Sequence, residues 1–232
     1  MLTARFHESG SPDLAGGRNS HCAKPWQSAI KPMQRGVTMV ELAVVMAIIA
    51  ILAALAVPSF SVWIQNSQIR NAAEAIQNGI ALTRTEAVRR NTLIRFQLTT
   101  TVDAGCAISA TDANWVISFD DPTGLCANAP INEAFATSDS ANNPAPRLIQ
   151  RHPAAEGSRN AVVAAGQSTI VFNGTGRVTP VPAGAITIDI SNPTGGACAA
   201  TGPMHCLKVV ISPGGQARMC DPAIANTDPR GC

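Results

Sequence analysis

Charge is scarce in this 232-residue sequence: Asp, Glu, Lys and Arg make up only 14% of it and leave a formal balance of +2. So small an excess excludes bulk electrostatic attraction as a basis for nucleic-acid binding. With 46% hydrophobic residues the chain is also too apolar to remain disordered. Its 18 Gly and 16 Pro follow no fixed period, which excludes a collagen-like fibre. No self-similarity recurs at roughly 20–50 residues, which excludes a solenoid. Catalytic signatures are missing as well. Beyond position 36 the only histidines are His152 and His205, and neither sits in a hydrolase, phosphate-binding or metalloprotease motif. The stretch Asn173-Gly174-Thr175-Gly176-Arg177 lacks both the Gly-x-Gly-x-x-Gly spacing and a following helix, so it reads as a turn between strands. His205 and Cys206 would point to opposite faces of a strand and are poorly disposed to share a metal. The expectation is a protein without catalytic residues, cofactor or metal.

What the sequence does have is one concentrated apolar run. The 16 residues Leu42–Val57 contain no polar side chain. Before them, residues 1–32 have few spaced hydrophobes, and then comes Lys31-Pro32-Met33-Gln34-Arg35-Gly36-Val37-Thr38-Met39-Val40-Glu41. As a helix, Val37–Val57 would be about 31 Å long, close to the roughly 30 Å of bilayer hydrocarbon. The basic residues ahead of it predict a cytoplasmic N-terminus. Glu41 stands out, because a carboxylate in a membrane helix costs roughly 2.5–3.5 kcal/mol at mid-bilayer and less near an edge. Such a residue calls for a partner. If the chain is cut after Gly36, the new α-amine of Val37 on one subunit can neutralise Glu41 of a neighbour and set their stagger. The residues alone also accommodate a signal peptide cut at Ala54-Leu55-Ala56, or a plain membrane anchor, but both leave Glu41 unexplained.

Arg35-Gly36, Glu41 at the fifth position after Gly36 and the uninterrupted apolar run together resemble the class III prepilin signal of type IV pilins and type II secretion pseudopilins. The resemblance implies that a prepilin peptidase cuts between Gly36 and Val37 and N-methylates Val37. Val37 departs from the Phe usual there. Residues 1–36 would then be a cytoplasmic leader, long for such proteins, with Met33 an alternative start.

Past Pro58 the pattern changes to an amphipathic one. Val62, Ile69, Ala73, Ile76, Ile80, Thr83 and Ala87 recur every three or four residues, predicting one long helix from about Val37 to Arg89, with Gly79 weakening it. The expected organisation is a transmembrane segment over 37–60, an amphipathic continuation over 61–91, and a β domain over 92–232. Strands are predicted at Leu93–Leu98, Trp115–Phe119, Thr169–Phe172, Ala185–Ile190, Leu207–Ile211 and Ala217–Met219. Ser212-Pro213-Gly214-Gly215 is the turn between the last two, and residues 121–160 form a long loop. The sum is an α+β fold, a helix laid on an antiparallel sheet.

Six cysteines lie beyond Gly36, while Cys22 lies before it. An even set in an exported domain reads as a disulfide framework with 15 conceivable connectivities. Symmetry of Cys206 and Cys220 about Pro213 favours their pairing, with Cys106–Cys126 closing the segment around Trp115 and Cys198–Cys232 tying down the tail.

Residues Asn71–Asn91, with Arg84-Thr85-Glu86-Ala87, resemble the helix-to-strand segment of the GspH/FimT pseudopilin family, as do Thr169–Arg177 and Leu207–Arg218 its C-terminal strands. The resemblance spans Gly36 to Cys220 and implies a pilin-like, non-enzymatic filament subunit of the bacterial inner membrane with a periplasmic C-terminal domain. Its implied partners are prepilin peptidase, other minor pilins or pseudopilins, the major subunit and the assembly platform. Gly215–Cys220 tips the expectation toward a minor pilin that primes or caps a type IV pilus, with a GspH-type pseudopilin of type II secretion as the alternative. DNA binding during transformation is a further one. Some FimT-like pilins bind DNA through Gly-Arg-x-Arg. Here Gly215-Gln216-Ala217-Arg218 keeps Gly215 and Arg218 but has Gln216 for the first Arg. Arg218 and Arg177 are the candidate DNA contacts, and Arg84, Arg89, Arg90 and Arg95 form a second basic run. Residues 37–232 carry 12 Lys and Arg against 13 Asp and Glu, so any attraction would have to be local.

Overall fold

The computed structural model describes residues 36–199 and 202–232, so the leader over 1–35, Met33 and Cys22 lie outside the described residues. The chain divides into two units, one ending at Val45 and one spanning Met46–Cys232. A single helix, α1, runs over Met39–Arg90 and stays helical through position 58. In the first unit Thr38 caps this helix: its hydroxyl accepts the backbone N–H of Glu41 at 3.2 Å and its carbonyl that of Leu42 at 3.1 Å. Thr38 and Glu41 thus hold the first and last places of a Thr-x-x-Glu capping sequence. At the other end, Asn91 adopts φ 48°. There the N–H of Thr92 reaches the Ala87 carbonyl and that of Asn91 the Val88 carbonyl, the paired bonds of a Schellman stop.

In the larger unit the amphipathic half of α1 buries Ile69, Ala72, Ala73, Ile76, Ile80, Thr83 and Ala87. These residues meet strands whose apolar positions alternate. Strand β1 (Ile94–Thr99) buries Ile94, Phe96 and Leu98 in the main core, and β2 (Asn114–Ser118) sets Trp115 opposite Leu98 and Ile117 opposite Phe96. Gly79 is where the helix comes closest: a Cβ there would lie 2.8 Å from Phe96 Cε2 and 3.0 Å from Trp115 Cζ2. The glycine that costs about 1 kcal/mol of helix propensity is therefore what lets two aromatic rings pack under the helix.

The expected single sheet is two four-stranded antiparallel sheets. The first has the order β3-β2-β1-β5, with β3 Leu148–His152 and β5 Thr169–Phe172. The second has the order β4-β6-β7-β8, with β4 Val162–Ala165, β6 Ile186–Ser191, β7 Leu207–Ile211 and β8 Ala217–Cys220. Two strands went unpredicted, β3 inside the 121–160 segment and β4 just after it. Both are edge strands, Leu-Ile-Gln-Arg-His and Val-Val-Ala-Ala, and with a neighbour on one side only they need no strong apolar alternation. The segment between β1 and β3 is not idle surface: Val102, Cys106 and Cys126 gather with Leu148 over Val116 in a second, smaller core.

The cysteines pair as Cys106–Cys126, Cys198–Cys206 and Cys220–Cys232. The first is the expected pair, and the other two correct the expected Cys206–Cys220 and Cys198–Cys232. The reason is register. The β7–β8 hairpin sets Ile211 opposite Ala217 and Lys208 opposite Cys220, so its centre is Gly214 rather than Pro213, and Cys206 falls two residues past the partner of Cys220. Cys206 instead closes the β6–β7 connection, and Cys220 clips the C-terminal tail, where Asp221 bridges to Gly231.

Candidate functional site

Two features stand out from the folded surface, each within one unit. The first is the start of α1. Gly36 and Val37 precede the helix in exposed, non-helical chain, with nothing within 4 Å of the Cβ position of Gly36 and Val37 71% exposed. The Gly36–Val37 bond is thus reachable from solvent. The helix that follows is long and apolar enough to cross a membrane, and its apolar side chains up to Val57 are exposed. Glu41 is exposed in the first turn, its backbone N–H held by Thr38. The sequence reading singled out Glu41 and missed Thr38, although the Thr-x-x-Glu spacing was legible there.

The second is a groove of about 890 Å³ between the C-terminal part of α1 and the β7–β8 hairpin. From the helix it takes Gln77, Arg84 and Arg89, and from the hairpin Gly215, Gln216 and Arg218. The hairpin holds its place through close backbone approaches. Gly215 has φ +83°, and a Cβ on it would overlap the carbonyl oxygen of Gly176. The Pro213 carbonyl accepts the N–H of Val178, and Gln77 Nε2 reaches the Ala217 carbonyl at 3.4 Å. The Asn173–Arg177 stretch is a strand-connecting turn, with Asn173 Oδ1 accepting the N–H groups of Thr175 and Arg177. Arg84 ties that turn to the helix, its Nε donating to Gly176 O at 3.0 Å.

The expected basic run divides. Arg84 and Arg89 face the groove, whereas Arg95 lines a different hollow. Arg89 and Arg90 both bind Glu86 Oε2 at 2.8 Å, and both reach Glu133 in the β2–β3 segment. Burial pushes the Glu86 carboxyl up, but its hydrogen bonds from Arg89 and Arg90 outweigh that and hold it below its ordinary value. Arg89 is correspondingly raised by Glu86. The Arg84-Thr85-Glu86-Ala87 element therefore does two structural jobs: Arg84 docks the β5 turn, and Glu86 holds Arg89 and Arg90, which reach Glu133 in the β2–β3 segment. Arg218 is exposed and donates Nη1 to Gly231 O at 3.3 Å, while Arg177 is exposed in its turn and does not line the groove.

The same segment is anchored a second time by Arg147, which grips Asp120 with Nε and Nη2 at 2.8 and 2.7 Å. This hydrogen bonding lowers Asp120 and raises Arg147. The guanidiniums of Arg90 and Arg147 lie 5.5 and 5.1 Å from the Phe119 ring centre. Cys198 and Cys206 are bonded to each other, and among the described residues no three His, Cys, Asp or Glu side chains converge as a metal site would need.

A profile of the type II transport protein GspH family matches residues 72–215, and one of the prokaryotic N-terminal methylation motif matches residues 31–57. No curated protein sequence matches the chain. Among solved structures it is similar to the type IV minor pilin FimU of Pseudomonas aeruginosa in two crystal forms. One has 16% identity and a TM-score of 0.42, covering 71% of this chain and 94% of that one. The other has 14% identity and a TM-score of 0.41, covering 70% and 98%.

Proposed function

The chain belongs to the GspH family of type II transport proteins, a family of non-enzymatic minor pilins and pseudopilins, and on that premise we propose that it is the minor pseudopilin of a type II protein secretion machine. The observation that carries this reading is the family match over residues 72–215, from the second half of α1 through β7, preceded by the methylation motif at 31–57. It moves the balance away from the type IV pilus branch that Gly215–Cys220 had favoured. Gly215 is needed by the hairpin's contact with Gly176 whatever the protein binds, so that glycine does not mark a branch.

In this reading the apolar part of α1 stores the subunit in the inner membrane, N-terminus cytoplasmic and β domain periplasmic. Prepilin peptidase cuts the exposed Gly36–Val37 bond and methylates Val37. Glu41 then offers a negative charge one helical turn from the new α-amine position, where the amine of an adjoining subunit neutralises it and fixes the axial offset. The assembly platform, the major subunit and other minor subunits are the partners, and the subunit primes or caps the short filament.

Deletion of the gene and complementation in the source bacterium test this. Retention of exoproteins inside the cell, with piliation intact, is the expected result. Normal release with lost piliation would favour a type IV minor pilin instead. DNA binding is a second reading, supported by Arg84, Arg89 and Arg218 on one groove, with Arg177 exposed in the turn that Gly215 abuts. Mixing the purified protein with duplex DNA at low and high salt checks it, and no saturable, salt-sensitive association rules it out.

A further inference from the structure

Away from both features, a hollow of about 470 Å³ opens beside Phe119. Arg90, Arg95 and Arg147 line it together with Thr92, Thr137 and Ser138, and no Asp or Glu does. Two of the three guanidiniums are already partnered, Arg90 by Glu86, Glu133 and Thr137 and Arg147 by Asp120. Arg95 differs. It is the second residue of β1, opposite Ser118 on one side and Val171 on the other. Its Nε is shut off from solvent and meets no hydrogen-bond acceptor. Among the described residues no carboxylate lies within salt-bridge distance of it. Asp120 and Asp121 are near enough to feel its charge, but their oxygens bind elsewhere, Asp120 to Arg147 and Asp121 to Thr123.

A buried guanidinium nitrogen without an acceptor is a cost, and native structures seldom carry one without a reason. Here several donors converge. Arg95, Arg147, Thr92 and Ser138 all line the same hollow, and Arg95 Nε is a buried donor without an acceptor. Donors in that number, with no competing carboxylate in the lining, suit an anion with at least two acceptor oxygens. We infer that this hollow is an oxyanion site with Arg95 as its primary ligand. A carboxylate on an acidic segment of a neighbouring subunit and free inorganic phosphate share that chemistry. The inference does not depend on which machine the subunit serves.

The test uses the full chain in detergent micelles with ¹⁵N-labelled arginine, following the Nε–Hε signals by NMR. One titration adds sodium phosphate, a second a glutamate-rich peptide, and a third sodium chloride at matched ionic strength. A saturable shift of the Arg95 signal with phosphate or peptide, beyond the chloride response and with Arg218 unmoved, is the expected result. Response to peptide alone assigns the site to a partner's carboxylate, and response to phosphate alone assigns it to the free ion. Arg95→Gln removes the Arg95 signal and so identifies it. In that variant the accompanying shift of Arg147 should need at least about tenfold more ligand, reflecting loss of a charged fork. No response beyond chloride in the wild-type chain, which needs no variant to fold, overturns the proposal. So does an Arg147 response unchanged in Arg95→Gln.

Discussion

Arg84 and Gly176 are joined across 92 residues of sequence by one hydrogen bond, Nε to carbonyl oxygen at 3.0 Å, and the same carbonyl blocks any side chain on Gly215. The helix, the β5 turn and the β7–β8 hairpin thus meet at a single peptide group.

Arg84→Ala should cost about 1.5–3 kcal/mol, the range for a hydrogen bond with one charged partner. Gly215→Ala should cost roughly 1–3 kcal/mol, because it adds positive-φ strain to the overlap with Gly176. Urea melts of both variants check this. A Gly215→Ala protein as stable as wild type would contradict the close approach.

Non-reducing digestion and mass spectrometry should recover Cys106–Cys126, Cys198–Cys206 and Cys220–Cys232, with no Cys206–Cys220 peptide. The bridges close separations of 20, 8 and 12 residues. In the chain-entropy account, Ser replacement of the first pair should cost about 0.8 kcal/mol more than replacement of the second. Thermal melts of the double Cys→Ser variants give the order.

Asp120, held down chiefly by Arg147, and Glu86, held down by Arg89 and Arg90 against the opposing effect of burial, titrate below their ordinary 3.8 and 4.5. Their folded values are lower than their unfolded ones, so the stabilisation they give is complete above about pH 4.5 and is lost as the pH falls through the folded values. Asp120→Asn should therefore be less stable than wild type at pH 7, by about 1 kcal/mol after allowing for solvent screening. The gap should close in strong acid. Urea midpoints from pH 7 down to pH 2 measure it, and a gap that is constant across that range would refute the linkage.

Thr38→Val removes the helix cap, worth about 1 kcal/mol, and keeps the carboxylate of Glu41. Glu41→Gln keeps the capped N–H and removes the charge. If Glu41 acts by pairing between subunits, exoprotein release in the complemented strain should fall by about tenfold or more with Glu41→Gln, since an unpaired amine is left behind. Thr38→Val should then stay near wild type. The reverse order would make Glu41 a capping residue only.

Much of this could be read along the chain, and the reasons differ by residue. Glu41 is visible because a lone carboxylate interrupts an apolar approach to the membrane, and Ile69, Ala73, Ile76, Ile80 and Ala87 because a helix face repeats every three to four positions. The interior strands β1, β2, β6 and β7 announce themselves through apolar content and flanking turns, as does β5, an edge strand with the apolar sequence Thr-Ile-Val-Phe. Edge strands β3 and β4 do not, since half their surroundings are solvent. Gly79 read as a weakness, and the two rings beneath it could not be inferred from helix propensity.

The sequence by itself determined the apolar membrane-length helix, its amphipathic continuation and the α+β class, since each rests on periodicities only a few residues long. Only the tertiary structure decided which cysteines meet, how the strands divide between two sheets, which arginines are engaged, and that Arg95 Nε is buried without an acceptor among the described residues. Those outcomes depend on strand register and on contacts such as Arg89 with Glu133 and Gln77 with Ala217, 44 and 140 positions apart. A one-residue difference in the centre of the β7–β8 hairpin was enough to change the partners of Cys206 and Cys220.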